Sequence, residues 1–241
     1  FIGSHLCDAL ILRGHSVRVL DDLSTGHREN LNPQAALTIG DIADAEIVAR
    51  CMADADGVFH LAAIASVARA NEAWAATHRT NLTGTIVVLD AARRANARGP
   101  IPVVYASSAA VYGDNDALPL SEAAVTRPLS AYGADKLGCE LHARVAGHVH
   151  GVATTGLRFF NVFGPRQDPS SPYSGVISIF CDRLRRGQNL TIYGTGLQQR
   201  DFVYVADVVR ALVAAMESPA TMAPVYNVCT GVAVSILELG Q

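Results

Sequence analysis

Lysine is almost absent from this chain: 241 residues contain one, Lys136, against eighteen arginines. Surface charge is therefore met by arginine, and the lone lysine answers to something else. Cysteine is sparse and scattered. Cys7, Cys51, Cys139, Cys181 and Cys229 never form a Cys-x-x-Cys pair, which excludes a disulfide framework and a cysteine-based metal knuckle. Free thiols in a reducing cytoplasm are expected. There is little net charge, −3, with a pI near 6.2, so no general attraction to nucleic acid or to an anionic membrane is expected. No apolar run reaches the ~18 residues needed to span a bilayer, and no secretory leader pattern is present. Aromatic residues make up only 6% and charged residues 17%, while half of the chain is hydrophobic. That balance belongs to a globular protein with a core rich in alanine, valine and leucine. The eight histidines have no metal-ligand spacing. His148 and His150 fall where a helix should end, so capping or exposure is expected there and no metal site.

What is present is an alternation of apolar β-branched runs with amphipathic stretches. Strands are predicted over 16–20, 36–39, 57–61, 102–106, 154–159 and 224–229. Helices are predicted over 4–13, 43–53, 68–97 with a break, 131–148, 176–186 and 205–217. Near-continuous apolar strands separated by helices indicate a parallel sheet covered on both faces. The predicted class is a doubly wound α/β fold of the Rossmann type. The Gly/Pro/Ser-rich stretch 164–175 is the expected boundary between a dinucleotide-binding part, 1–165, and a smaller substrate-binding region, 166–241, part of which returns to the sheet. Phe1-Ile2-Gly3-Ser4-His5-Leu6 reads as the end of a glycine-rich turn entering a helix, and 235–241 reads as a helix just beginning. A chain cut at both ends, without the first strand of its sheet, is expected.

Lys136 lies four residues after a tyrosine, in Ser130-Ala131-Tyr132-Gly133-Ala134-Asp135-Lys136. With seven tyrosines in the chain, chance gives a random lysine this spacing roughly 3% of the time. Residues i and i+4 share a helix face. A phenol held beside a fixed ammonium is a usable proton acceptor, because the neighbouring charge favours its anion. A core tyrosine beside a surface lysine is the bland alternative, and the rarity of lysine weighs against it. Ser108, in Ala106-Ser107-Ser108-Ala109-Ala110, ends the strand that precedes this helix. Ligands in open α/β sheets bind outside the carboxyl ends of strands, so Ser108 is a candidate third member.

Asp21-Asp22-Leu23-Ser24-Thr25-Gly26 follows the strand 16–20, and Asp21 stands eighteen positions after Gly3. An acidic residue there can accept from both ribose hydroxyls of an adenosine and would repel a 2′-phosphate, which favours NAD over NADP. Turn capping by either aspartate is the alternative. Asp41, in Gly40-Asp41-Ile42, is a weaker candidate acceptor for an adenine amino group. His60-Leu61-Ala62-Ala63 ends a strand with small residues that let a dinucleotide approach. His60 itself is expected to be a satisfied buried histidine.

In their order these segments resemble the extended short-chain dehydrogenase/reductase family, most closely its UDP-sugar 4-epimerases. The similarity continues through Asn81-Leu82-Thr83-Gly84, Arg158-Phe159-Phe160-Asn161-Val162-Phe163-Gly164-Pro165-Arg166-Gln167 and Gln199-Arg200-Asp201-Phe202. It implies an NAD-dependent isomerase of nucleotide sugars. Tyr132 would take the proton of the sugar 4-hydroxyl, Ser108 would hold the same oxygen, and Lys136 would bind the nicotinamide ribose. The other cofactor contacts implied are Ile2, Gly3, Asp21, Asp22, Thr25, Gly26, Asp41, Ile42, Leu61, Ala62, Ala63, Asn81 and Phe160. The UDP-sugar would meet Ser108, Val176, Tyr193, Asn161 and Arg200, the last two at the diphosphate. A homodimer is implied, formed by the helices 68–97 and 131–148. A 4,6-dehydratase, a decarboxylase, a reductase and a non-catalytic dinucleotide-binding relative are the rivals. Dehydratases of this fold place a carboxylate just after the catalytic serine or threonine, where this chain has Ala109-Ala110.

Overall fold

The structure is a computed structural model that describes residues 1–115, 118–170 and 175–241. Residues 171–174 of the expected boundary stretch thus lie outside the described residues. The chain runs α1 (Ile2–Leu12), β1 (Arg18–Asp21), β2 (Ala36–Ile39), α2 (Ala45–Met52), β3 (Val58–His60), α3 (Val67–Glu72), α4 (Trp74–His78), α5 (Gly84–Ala92), β4 (Val103–Ser108) and α6 (Ala131–His150). It continues through β5 (Thr154–Phe159), β6 (Asn161–Phe163), α7 (Val176–Arg185), β7 (Gln199–Tyr204), α8 (Val205–Glu217), β8 (Val225–Val228), β9 (Ala233–Ser235) and α9 (Ile236–Leu239).

The central sheet has the order β3-β4-β5-β8, all parallel. Residues along β4 alternate between its two faces, as a pleated strand requires. Val103 and Tyr105 join a core with Val48 of α2, Val88 and Leu89 of α5, and Cys139 and Ala143 of α6. Val104 joins the other core, with Leu6 of α1, Leu157 and Phe159 of β5, and Val208 and Leu212 of α8. Both faces are covered, so β5 is buried at all six positions, Thr154, Thr155 and Arg158 included. β1 and β2 form a separate parallel pair, Arg18 opposite Ala36. Among the described residues no ladder joins β1 to β3, and a cleft separates the two sheets.

Three features differ from the sequence reading. The stretch 68–97 divides into α3, α4, a π-turn over Arg79–Thr83 and α5, which stops at Ala92. The π-turn places Asn81 inward, where its amide donates to Ile64 O at 3.1 Å and accepts from Ile64 N at 2.8 Å. That tertiary partner, rather than helix propensity, sets the break. A third sheet, β6-β7-β9, was not predicted; β7 pairs parallel with β6 and antiparallel with β9. These strands are three to six residues long and leave little periodicity to read. β6 also precedes the expected boundary at 165/166; α8 and β8, within the region read as partly returning to the sheet, pack on or pair with the central one.

α6 is the element that matters most for the site. Ser130 caps its start by accepting from Gly133 N at 3.1 Å, and Gly151 closes its end in the left-handed region at φ +67. A Cβ on Gly133 would lie 2.7 Å from the carbonyl oxygen of Ala110. Glycine there lets the helix rest directly on the turn that follows Ser108.

Candidate active site

Lys136 is buried, 3% exposed, although it is a lysine. Burying an ammonium requires a partner, and Nζ donates to Ala106 O of β4 at 2.8 Å. One of its three protons is thereby used, and the residue lines the cleft. Nζ also lies 5.8 Å from the centroid of the Tyr132 ring. Tyr132 and Lys136 share the face of α6 that looks onto the carboxyl end of β4, and Ser108 terminates that strand. Ser108 Oγ accepts from Ala110 N at 3.2 Å and keeps its own proton available. All three side chains border one cleft of about 2520 Å³. This exceeds the few hundred to ~1,000 Å³ of an ordinary ligand pocket, because the opening continues between β1 and β3.

The same cleft is lined by Ile2, Gly3, Asp21, Asp22, Thr25, Gly26, Ile42, Leu61, Ala62, Ala63 and Phe160, and toward the third sheet by Asn161, Val176, Tyr193 and Arg200. Asp41 and Asn81 are not brought into it. Asp41 accepts from Ala43 N at 2.8 Å and pairs with Arg79; that backbone bond first, and Arg79 next, hold its carboxyl below the usual range. Asn81 spends its amide on Ile64 and so orders the loop after β3 instead of facing a ligand. Asp21 and Asp22 each cap their own turn, to Leu23 N at 2.8 Å and Ser24 N at 2.9 Å. Capping and ligand binding are therefore not alternatives. The cap uses Asp21 Oδ1, and Oδ2 has no protein donor among the described residues. A cleft-lining carboxylate oxygen at one end and a buried ammonium with unused protons at the other fit a ligand with a ribose diol at each end, which is the constitution of NAD.

Beneath these groups lies a polar network that the sequence reading missed. Glu140, one turn beyond Lys136, accepts from Ser107 Oγ at 2.5 Å and from Arg158 Nε and Nη2 at 2.9 and 2.7 Å. Arg158 also donates to Tyr112 Oη at 2.7 Å, which donates to Asn227 Oδ1 at 2.7 Å. Burial opposes the guanidinium charge, but Glu140 and Tyr112 outweigh it and hold Arg158 above its usual range. The network ties the residue before Ser108 to the helix that carries Tyr132. The spacing Tyr132-Lys136-Glu140 was a readable signal of a third functional position on that face; the partner on β5 was not.

His60 is buried and bonded to Thr85 Oγ1 at 2.9 Å. Thr85 gives its own proton to Asn81 O at 2.6 Å, so His60 Nε2 is the donor. Burial, and then the charge of Lys136, push its pKa down to about 3. An unfolded histidine titrates near ~6.5, so the unfolded chain takes up this proton first on acidification. The contribution of His60 to stability is complete above that value and is lost as pH falls toward 3. Between pH 7 and pH 5 the loss is roughly 2 kcal/mol. Urea unfolding midpoints at the two pH values should show it, and His60→Gln should flatten the dependence.

The profile of the NAD dependent epimerase/dehydratase family matches residues 1–229. This chain belongs to that family. A putative UDP-glucose 4-epimerase of Methanocaldococcus jannaschii is 37% identical over 99% of the chain and 77% of its own length. Among solved structures, a UDP-glucose 4-epimerase from Thermotoga maritima with UDP-glucose superposes with a TM-score of 0.93 at 38% identity, covering 99% of this chain and 77% of that one. A UDP-N-acetylglucosamine 4-epimerase from Methanobrevibacter ruminantium, in complex with UDP-N-acetylmuramic acid, gives the same score and identity over 99% and 76%. As a member of an NAD-dependent enzyme family, the protein is an enzyme of the α/β, Rossmann-type class.

Proposed function

We propose that this protein is an NAD-dependent nucleotide-sugar 4-epimerase, interconverting UDP-glucose and UDP-galactose or their N-acetyl forms through a 4-keto sugar. The observation that carries the proposal is the convergence of Tyr132, Ser108 and buried Lys136 on one cleft, in a chain 37% identical to a putative UDP-glucose 4-epimerase. Tyr132 Oη takes the proton of the sugar 4-hydroxyl and returns it at the end of the cycle. Ser108 Oγ donates to the same oxygen and holds it near the phenol. The Lys136 ammonium lies 5.8 Å from the centre of the Tyr132 ring, and its unused protons suit the diol of a nicotinamide ribose. NAD, held by Lys136 at one end and Asp21 and Asp22 at the other, would supply reversible two-electron redox chemistry at the sugar C4. Asp21 and Asp22 hold the adenosine end. Asn161 and Arg200 hold the diphosphate of the substrate, with Val176 and Tyr193 beside them.

Absence of a carboxylate at Ala109-Ala110 favours epimerisation over dehydration. Incubation with UDP-galactose should give UDP-glucose with no net reduced cofactor, read by NMR of the anomeric protons. Release of a 4-keto-6-deoxy sugar would instead make the enzyme a dehydratase, and tight NAD binding without turnover would make it a binding protein. Parallel incubation with UDP-N-acetylgalactosamine assigns the sugar series, which overall similarity leaves level.

The cofactor part comprises most of 1–165 together with α8 and β8, and the substrate-binding region comprises β6, α7, β7 and β9. A homodimer is the proposed assembly. Leu141, Val145 and Val149 stand four apart on α6 and are 56, 50 and 62% exposed, and Ile86 of α5 is exposed as well. A one-sided apolar stripe of this kind suits packing against a second copy, and light scattering should return twice the chain mass. Five free thiols suit a reducing cytoplasm.

A further inference from the structure

Asp201 follows Arg200 on β7, borders the cleft, and has no role in the chemistry above. Its surroundings are unusual for a carboxylate at the end of a site meant for a diphosphate. Oδ1 accepts from Thr230 N at 2.9 Å and Thr230 Oγ1 at 2.8 Å, and Oδ2 accepts from Gly231 N at 2.7 Å and Thr230 N at 3.1 Å. Two successive backbone N–H groups, with Gly231 at φ +77, thus form a concave anion nest around the carboxylate. The main chain of the same residue is also engaged: Asn161 Nδ2 donates to Asp201 O at 2.9 Å. One residue therefore joins the start of β6, the start of β7 and the turn between β8 and β9. Cys229 and Gly231 of that turn, Asn161 and Arg200 all line the same cleft.

Two consequences follow. The turn consumes the carboxylate, and Arg200, its neighbour on the strand, has no carboxylate partner among the described residues; its Nη1 donates to Gln199 O at 2.7 Å. The clamp also sets where Asn161 stands relative to Arg200. We infer that Asp201 is a positioning residue for the diphosphate of the nucleotide sugar, which keeps Asn161 in register with Arg200 by holding the 229–231 turn. The inference rests on the diphosphate assignment to Asn161 and Arg200 proposed above.

The sign of the effect separates this role from a through-space one. Removing a negative charge near an anionic ligand should by itself tighten binding. Loss of the clamp should weaken it instead, because an amide in the nest turns its N–H₂ toward backbone donors. Hydrogen bonds to a charged group are among the stronger ones, so Asp201→Asn is expected to raise KM for the UDP-sugar and Kd for UDP by about tenfold. kcat should stay within about threefold and bound NAD should remain at the wild-type ratio. Thr230→Val, which removes one side-chain donor and leaves the backbone nest, should show the same split at smaller size, and it guards against an Asp201 variant that folds poorly. If Asp201→Asn leaves KM and Kd unchanged or lowers them while Arg200→Ala raises both, the clamp is overturned and the diphosphate site stands. If Arg200→Ala and Asn161→Ala also leave UDP affinity unchanged, the diphosphate assignment falls, and the inference with it.

Discussion

Tyr132→Phe should lower kcat by about 10²–10⁴-fold, the range of a positioned general acid–base group. The substitution deletes one oxygen and keeps the ring on α6. Neither the anchor of Lys136 on Ala106 O nor the cap of Ser130 on Gly133 N depends on that oxygen. NAD content and UDP affinity should therefore be unchanged, and the loss should sit in kcat rather than KM. Steady-state kinetics with UDP-galactose, combined with cofactor release and UDP titration, checks all three quantities. A variant retaining more than a tenth of wild-type turnover would remove Tyr132 as the base. Ser108→Ala should cost less, since it leaves the proton acceptor and the ammonium in place.

Glu140→Ala carries the largest expected effect on stability. The side chains of Glu140 and Arg158 are 8 and 7% exposed, and the pair is bidentate. Taking away the carboxylate leaves a buried guanidinium without its counter-charge and Ser107 Oγ without its acceptor. Breaking such a pair costs about 3–5 kcal/mol, against a total stability of only about 5–15 kcal/mol for a typical domain. At roughly 2–4 °C per kcal/mol for a chain of this size, the melting temperature should fall by about 10 °C. Differential scanning calorimetry of the two proteins measures it. Replacing both partners with apolar residues should recover only part of the loss, because Tyr112 Oη and the Glu122 carbonyl would still lose the Arg158 donor. A melting temperature unchanged by Glu140→Ala would mean that the network contributes nothing net.

The site was legible where chemistry and spacing coincide. The i, i+4 relation of Tyr132 and Lys136 follows from helix geometry alone, and a strand ending in Ser107-Ser108 before that helix could only point toward the mouth of a parallel sheet. Asp21 and Asp22 were readable from their distance to Gly3. His60 was anticipated as a satisfied core histidine, and its bond to Thr85 matches that. Asp41 was placed by pattern, yet its side chain serves Ala43 and Arg79, and Asn81, which matches a position that orders the site, does so through Ile64. The donors that claim them are up to 38 positions away, and no local periodicity reports such partners.

Residue types and periodicity by themselves determined the alternation of strands and helices, the parallel character of the central sheet, and the placing of Tyr132 and Lys136 on one helix face. These are local properties, carried by β-branched runs, caps and residues one helical turn apart. Only the tertiary structure decided that β6, β7 and β9 form their own sheet, that the break in the stretch 68–97 is a π-turn, and that Glu140 meets Arg158 while Asp201 meets Thr230. Each of those depends on contacts between segments remote in the chain, where the free energy comes from burial and hydrogen bonding that no single segment can make alone.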